Sequence, residues 1–437
     1  MPLPKPPSSV QPITFPVFGL SWFATPNGEE SIVAYGGGGG SAKTGFSNKI
    51  IVQFLKNDED IIISTDVDVC VCLVVYQEFP SEDIFILAAI GKTIRRYFLS
   101  NSEEGPSFSK AGEVNVGEGC NTLAVHAMGQ VFAVGCDDGP VHVYQMAPKD
   151  APEASWTRLF SCLGHEKTVC GISFALRSDH IVSSAKDGTA RVWKQGGECL
   201  SFMKCDITDP AENNNKTPKT KNRRPPQILV RGCAFGDLEG KLVFTIASGR
   251  KGKAFLSKWS LNDATNEFEL VVRTAIHTFP ISSMNLSADG SLLALGAVNG
   301  TILLVDVTEW KVVKKFNELH ELPVTCVAAR PYMTMPLAGD EEGIPLHARS
   351  ASADSKMGLL TMSKKRKRRT TAAQEIKKQQ PGMSLPMLLW SMLLLYLVSK
   401  FVNETIQLCR NDMSWNCIRY DVLLAPSTRP GIAMKPY

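Results

Sequence analysis

Among 437 residues there is no CxxC pair and no HExxH motif, although twelve cysteines are present. Scattered in this way they offer neither a zinc knuckle nor a disulfide framework, and the ten before residue 380 read as reduced, buried small hydrophobes. Charge of one sign is also missing. Lys plus Arg number 47 against 43 Asp plus Glu, a net +4, too near balance for a protein whose whole surface grips nucleic acid. Any basic partner surface has to be local. Met1 to Ser9 is proline-rich and carries no apolar h-region, so no cleavable signal peptide is expected and the bulk of the chain is expected in the cytosol. Hydrophobic content of 44% with 21% charged residues excludes wholesale disorder and supports a real core.

Before residue 362 the pattern is short apolar alternation broken by Gly, Asn and Asp, with almost no helical periodicity. The expected fold class is all-β, and the segments recur. Gly164-His165, Thr168 to Ala175, His180 to Ala185, Asp187-Gly188 and Thr189 to Lys194 form a unit that opens in Gly-His and closes in a tryptophan strand, a WD40 blade signature. His165, Ser183 or Ser184, Asp187 and Trp193 match the hydrogen-bonded tetrad that ties the outer turns of such a blade together. Weaker copies begin at Val17, Cys70, Leu123, Val230, Ile281 and Val324, which makes seven units of roughly 50 residues, consistent with a seven-bladed WD40-type β-propeller. The last unit is one outer strand short. Val10 to Phe15 is expected to supply it and clasp the two ends of the ring; the alternative is a simple amino-terminal arm. Asp209 to Gln227, rich in Asn, Pro and Lys, reads as a solvated loop.

From Gln379 to Ser399 no residue is charged, and Leu385 to Val398 is nearly all apolar. At about 1.5 Å per residue that stretch reaches roughly 30 Å, so a single transmembrane helix is expected over 382–402. Lys364 to Arg369, with Lys377 and Lys378, stands before it, and the positive-inside rule keeps the large amino-terminal part cytosolic and sends 403–437 into a lumen. The hexamer also reads as a nuclear localisation signal, a reading that weakens beside a membrane span. Cys409 and Cys417 are either a lumenal pair or two free thiols. The expected organisation is a propeller over 1–362, a basic linker over 363–381, the span and a short lumenal tail.

Gly36 to Gly40, then Ser41, Ala42, Lys43, Thr44 and Gly45, lead to Asn48 between two strands. A phosphate loop is excluded, because Ala42 stands where GxxxxGK[ST] needs glycine and a strand follows where a helix is needed. Five successive glycines cost more backbone entropy than an ordinary turn requires. Such a run can aim several carbonyls at one cation or admit a partner's backbone, with the Asn48 amide at its end; the other reading is a long flexible hairpin tip.

The run Ala34 to Gly45 followed by Asn48, the degenerate seven-bladed WD40 domain and one carboxy-terminal span closely resemble the prolactin regulatory element-binding protein family. These are the endoplasmic reticulum exchange factors for the Sar small GTPase that starts the COPII coat. The resemblance implies a guanine-nucleotide exchange factor in the endoplasmic reticulum membrane, with Gly36, Gly37, Gly38, Gly39, Gly40, Ser41, Lys43, Thr44 and Gly45 in the GTPase-contact loop. It also implies a potassium ion organising that loop and makes Asn48 the side chain expected to act in exchange and to help hold the ion. No organic cofactor and no nucleic acid are expected. Exchange makes no covalent bond, so the missing catalytic dyad agrees with this reading. The rival is a non-exchanging membrane scaffold or cargo facilitator, which has no use for the glycine loop. A second rival is a nuclear DNA reader, which no helix-turn-helix supports.

Overall fold

The computed structural model describes residues 8–362, apart from 42–43, 58, 103–104, 150, 152–155, 208–226, 334, 338–339 and 341–344. These residues belong to a compact unit running from Met1 to Lys364. The expected linker, span and tail over 363–437 lie outside the described residues.

Strand β1 (Ser8–Pro12) precedes the first blade. Blade 1 is β2 (Val17–Ala24), β3 (Ser31–Gly37), β4 (Asn48–Phe54) and β5 (Glu59–Asp66), and blade 2 is β6 (Cys70–Gln77), β7 (Ile84–Ile90), β8 (Thr93–Ser102) and β9 (Gly105–Asn115). Blade 3 is β10 (Cys120–Val125), β11 (Val131–Cys136), β12 (Val141–Gln145) and β13 (Thr157–Cys162), and blade 4 is β14 (Val169–Phe174), β15 (Ile181–Ala185), β16 (Thr189–Trp193) and β17 (Cys199–Lys204). Blade 5 is β18 (Ile228–Phe235), β19 (Leu242–Gly249), β20 (Ala254–Asn262) and β21 (Glu267–His277), and blade 6 is β22 (Ile281–Leu286), β23 (Leu292–Ala297), β24 (Ile302–Asp306) and β25 (Lys311–Phe316). Blade 7 has β26 (Val324–Ala329), β27 (Leu346–Ser352) and β28 (Lys356–Thr361).

Blade 7 is completed from the other end of the chain. β1 pairs antiparallel with β28, Ser8 opposite Leu360 and Pro12 opposite Lys356, so the expected clasp is present two residues earlier than the sequence reading put it. It covers an edge that would otherwise offer unpaired N–H and C=O groups to another chain. The first strands of successive blades touch in ring order, and β26 meets β2 to close the circle.

Each first strand carries a bulge at the same place: Val17/Gly19, Cys70/Cys72, Cys120/Thr122, Val169/Gly171, Val230/Gly232, Ile281/Ser283 and Val324/Cys326. The residue after every bulge is small, because the neighbouring blade approaches there; a Cβ on Gly171 would lie 3.0 Å from Cys233 N. Cys72 and Cys326 occupy two of these positions as small residues. The core is a ring of apolar clusters between adjacent blades, such as Ile32, Ile50, Leu73 and Ile86 between blades 1 and 2.

Candidate functional site

Chain direction alternates along each blade, so the β3–β4 connection emerges on the same face as the β5–β6 connection. The glycine loop is therefore on the face that carries the blade-to-blade links. Its base is anchored by Phe15, fully buried, whose ring stacks on Tyr35 at 6.1 Å while Lys49 Nζ lies over the ring 5.1 Å from its centroid. Burial pushes the Tyr35 phenol up to about 12, so it stays neutral.

The glycines have separate reasons to be glycine. A Cβ on Gly36 would meet Cys70 Sγ at 2.8 Å, on Gly37 the Pro16 carbonyl oxygen at 1.9 Å, and on Gly39 Thr44 Oγ1 at 1.7 Å. Gly38 adds a φ of +137° to a Cβ contact of 2.2 Å with Asn48 Oδ1. Gly40 and Gly45 stand at φ +67° and +82° with open space around them, so there the backbone alone requires glycine.

Asn48 stands at the buried base of the loop. It opens β4, is only 6% exposed, and turns its amide inward. Gly40 N–H donates to Asn48 Oδ1 at 2.8 Å, while Nδ2 donates to the carbonyls of Gly40 (3.2 Å), Asp66 (3.2 Å) and Val67 (2.7 Å). The residue is a brace that holds the loop to the next blade-to-blade link. Ser41, Thr44 and Gly45 are exposed, and Lys43 lies outside the described residues. The side chain that sequence reasoning missed is Phe46, 44% exposed on the returning arm of the loop, with Val67 65% exposed on the adjoining link. A lone Phe among small residues was the available signal.

The structure brings the expected tetrad together. His165 Nδ1 lies 2.9 Å from Asp187 Oδ2, its Nε2 lies 2.9 Å from Ser183 Oγ, and Trp193 Nε1 donates to Ser183 Oγ at 2.8 Å. Ser183 takes this place and Ser184 does not. Burial alone would raise the Asp187 carboxyl, but the hydrogen bonds from His165 and Thr189 outweigh it and hold the group down at about 2. Blade 7 repeats three of the four members, with His320 Nε2 2.9 Å from Ser350 Oγ and Nδ1 3.2 Å from Asp354 Oδ2. Trp259 donating to Thr245 Oγ1 at 2.9 Å is the surviving pair in blade 5. These groups hold connections to blades.

The fold and these sites define a seven-bladed β-propeller containing a WD40 repeat. Residues 156–194 match the WD40 family model (WD domain, G-beta repeat). The U3 small nucleolar RNA-associated protein 15 homologues of Xenopus tropicalis and Xenopus laevis are each 24% identical over 235 residues, 49% of this chain and 43% of theirs. Zinc finger CCCH domain-containing protein 17 of Oryza sativa subsp. japonica is 28% identical over 165 residues, 34% of this chain and 35% of its own. The match thus spans less than half the length of these curated relatives. Among solved structures, Chaetomium thermophilum Sqt1 bound to the N-terminus of a ribosomal protein superposes with a TM-score of 0.53 at 15% identity, covering 80% of this chain and 98% of that one. That likeness shows the fold.

These relatives correct the expected address. A place in the endoplasmic reticulum membrane is set aside, because two of the curated proteins that match are named for association with a small nucleolar RNA. No helix among the described residues is long and apolar enough to cross a membrane, and 382–402 lies outside them. Hydropathy establishes that a segment is able to enter a bilayer; it does not establish where the chain is delivered.

Proposed function

We propose that this propeller is a guanine-nucleotide exchange factor for a Sar-type small GTPase, the kind that starts the COPII coat, and that the glycine loop meets the GTPase. The observation that carries this reading is the split within 36–48. The base is locked by Asn48 and by the close contacts at Gly36 to Gly39, whereas Thr44 to Ser47 on the returning arm are exposed and include the apolar Phe46. A stiff base that presents an exposed apolar side chain is suited to pressing into a partner, since little entropy is lost on contact. The factor makes no covalent bond. It accelerates release because its contacts are better with the nucleotide-free GTPase than with the GDP-bound one.

Potassium belongs to the same proposal. The carbonyl oxygens of Gly40, Asp66 and Val67 converge within 2.7 to 3.2 Å of Asn48 Nδ2. An uncharged oxygen set of this kind suits a weakly charged hard cation; the Asn48 Nδ2 group satisfies these carbonyls in the structure, and an ion would have to displace it from them. The ion would supply positive charge that draws the loop's carbonyls together; the chain's own part is the bracing already described.

The test is release of a fluorescent GDP from a Sar-type GTPase. Acceleration by the wild-type chain that falls at least tenfold in Phe46→Ala, with an unchanged melting temperature, is the expected result. No acceleration by the wild-type chain overturns the reading. A second reading then takes over, favoured by the names of the curated relatives: a partner-binding propeller of a ribonucleoprotein assembly, in which the same face serves as a docking surface.

A further inference from the structure

Blade 3 lacks the histidine, serine and tryptophan that hold the entering link in blade 4, yet its entering link is held close. Three side chains from three elements meet there. Glu118 lies on the link between β9 and β10, Cys136 ends β11, and His142 lies on β12. Their Oε, Sγ and Nε2 or Nδ1 ligand atoms all lie within 4.8 Å of one another. Register explains the meeting. His142 stands opposite Val134, two residues before Cys136, so both side chains share one face of the sheet, and Cys120 stands directly opposite Cys136 on that face.

The surroundings are those of an incomplete cation site. Cys136 is fully buried and His142 is 5% exposed. His142 Nδ1 is held by Ser161 Oγ at 2.8 Å, which leaves Nε2 facing Glu118 Oε1 at 3.9 Å. That is the orientation in which a metal-binding imidazole is fixed through its other nitrogen. Glu118 Oε2 is buried without a hydrogen-bond partner. Burial first, then the Cys120 and Glu118 charges, push the Cys136 thiol well up, and burial pulls His142 down into its neutral form.

We propose that Glu118, Cys136 and His142 bind a zinc ion that ties the entering link to blade 3, with the fourth position open to water. A carboxylate, a thiolate and a neutral imidazole are a zinc ligand set. Bond lengths of about 2.0–2.3 Å put neighbouring ligands about 3.3–3.7 Å apart, so the cluster closes by about 1 Å or less on binding. On binding, the Cys136 thiol loses its proton to solvent as the Zn–S bond forms; His142, already neutral, releases none. The zinc does in blade 3 what His165, Ser183 and Asp187 do in blade 4.

The experiment is metal analysis of the purified full chain with zinc as the probe, together with cobalt substitution. Wild type should hold one zinc per chain through gel filtration, melt higher with zinc than after chelation, and show a thiolate-to-cobalt charge-transfer band. Glu118→Gln, on a partly exposed residue that should still fold, is expected to weaken zinc binding at least tenfold. His142→Gln should abolish retention, and Cys136→Ser should also remove the charge-transfer band. Cys162→Ser, a buried cysteine in the same blade, serves as the control and should bind as wild type does. A wild-type chain that takes up no zinc, that holds Cys120 and Cys136 as a disulfide, or that binds equally well in all three ligand variants overturns the proposal.

Discussion

Asn48 joins three backbone segments through one amide, and losing it should be felt in stability as well as in any activity of the loop. Asn48→Ala leaves the Gly40 N–H and the Val67 carbonyl without their partner, a cost of about 1–3 kcal/mol. A thermal melt should therefore shift clearly, whereas Ser41→Ala on the exposed tip should not. Trp193 is fully buried. Its replacement by Ala should cost about 3–5 kcal/mol, and Trp193→Phe, which keeps a ring but loses the bond to Ser183, about 1–3 kcal/mol. The pH dependence has two stages. His277, His320 and His347 are pulled down by burial, so they stay neutral in the fold while the unfolded chain takes up protons; stability falls as pH drops below about 6.5. Asp187, held at about 2, contributes stability that is full above about 4 and is lost as pH falls from there through about 2. Denaturant melts across pH should show both stages, and Asp187→Asn should flatten the second.

At the scale of elements, the glycine loop predicts a graded series. Gly40→Ala meets only an unfavourable φ of +67° in open space and should cost about 1 kcal/mol. Gly37→Ala would place its Cβ 1.9 Å from a backbone oxygen, so the Val17 strand has to move and the melt should fall further. Equal effects at the two positions would mean that the loop base is not locked. The three inner strands of every blade were readable as apolar alternation, whereas the outer strands were not. β5, Glu59–Asp66, and β9, Gly105–Asn115, are mostly exposed or half-buried, so charge, Gly, Pro and Ser are tolerated and the period-2 signal fades. In blade 7 Leu319 stands where the glycine of Gly-His would announce the turn, yet His320, Ser350 and Asp354 still meet.

For the whole molecule, the clasp is the feature on which ring integrity turns. Deleting 1–12 removes β1, exposes the edge of β28 and leaves blade 7 with three strands. The expected outcome is a lower melting temperature and concentration-dependent aggregation in light scattering. Removing 365–437 instead leaves every described strand in place, and that product should fold with the cooperativity of the full chain. An unfolded product would show that the propeller depends on something beyond its own ring.

Strand order, blade number, the tetrad of blade 4 and the unusual glycine run were legible in the sequence, because alternation, turn residues and a repeated period are local properties of a chain. What the glycines and Asn48 do was decided only by tertiary structure. Pro16, Cys70, Asp66 and Val67 lie 18 to 34 residues from their partners in the loop, and nothing in the run itself says which of them will crowd Gly37 or accept from Asn48. The same holds for Glu118, Cys136 and His142. They follow no metal-binding spacing, and only the register of β11 against β12 and the path of one link bring a carboxylate, a thiol and an imidazole to one point.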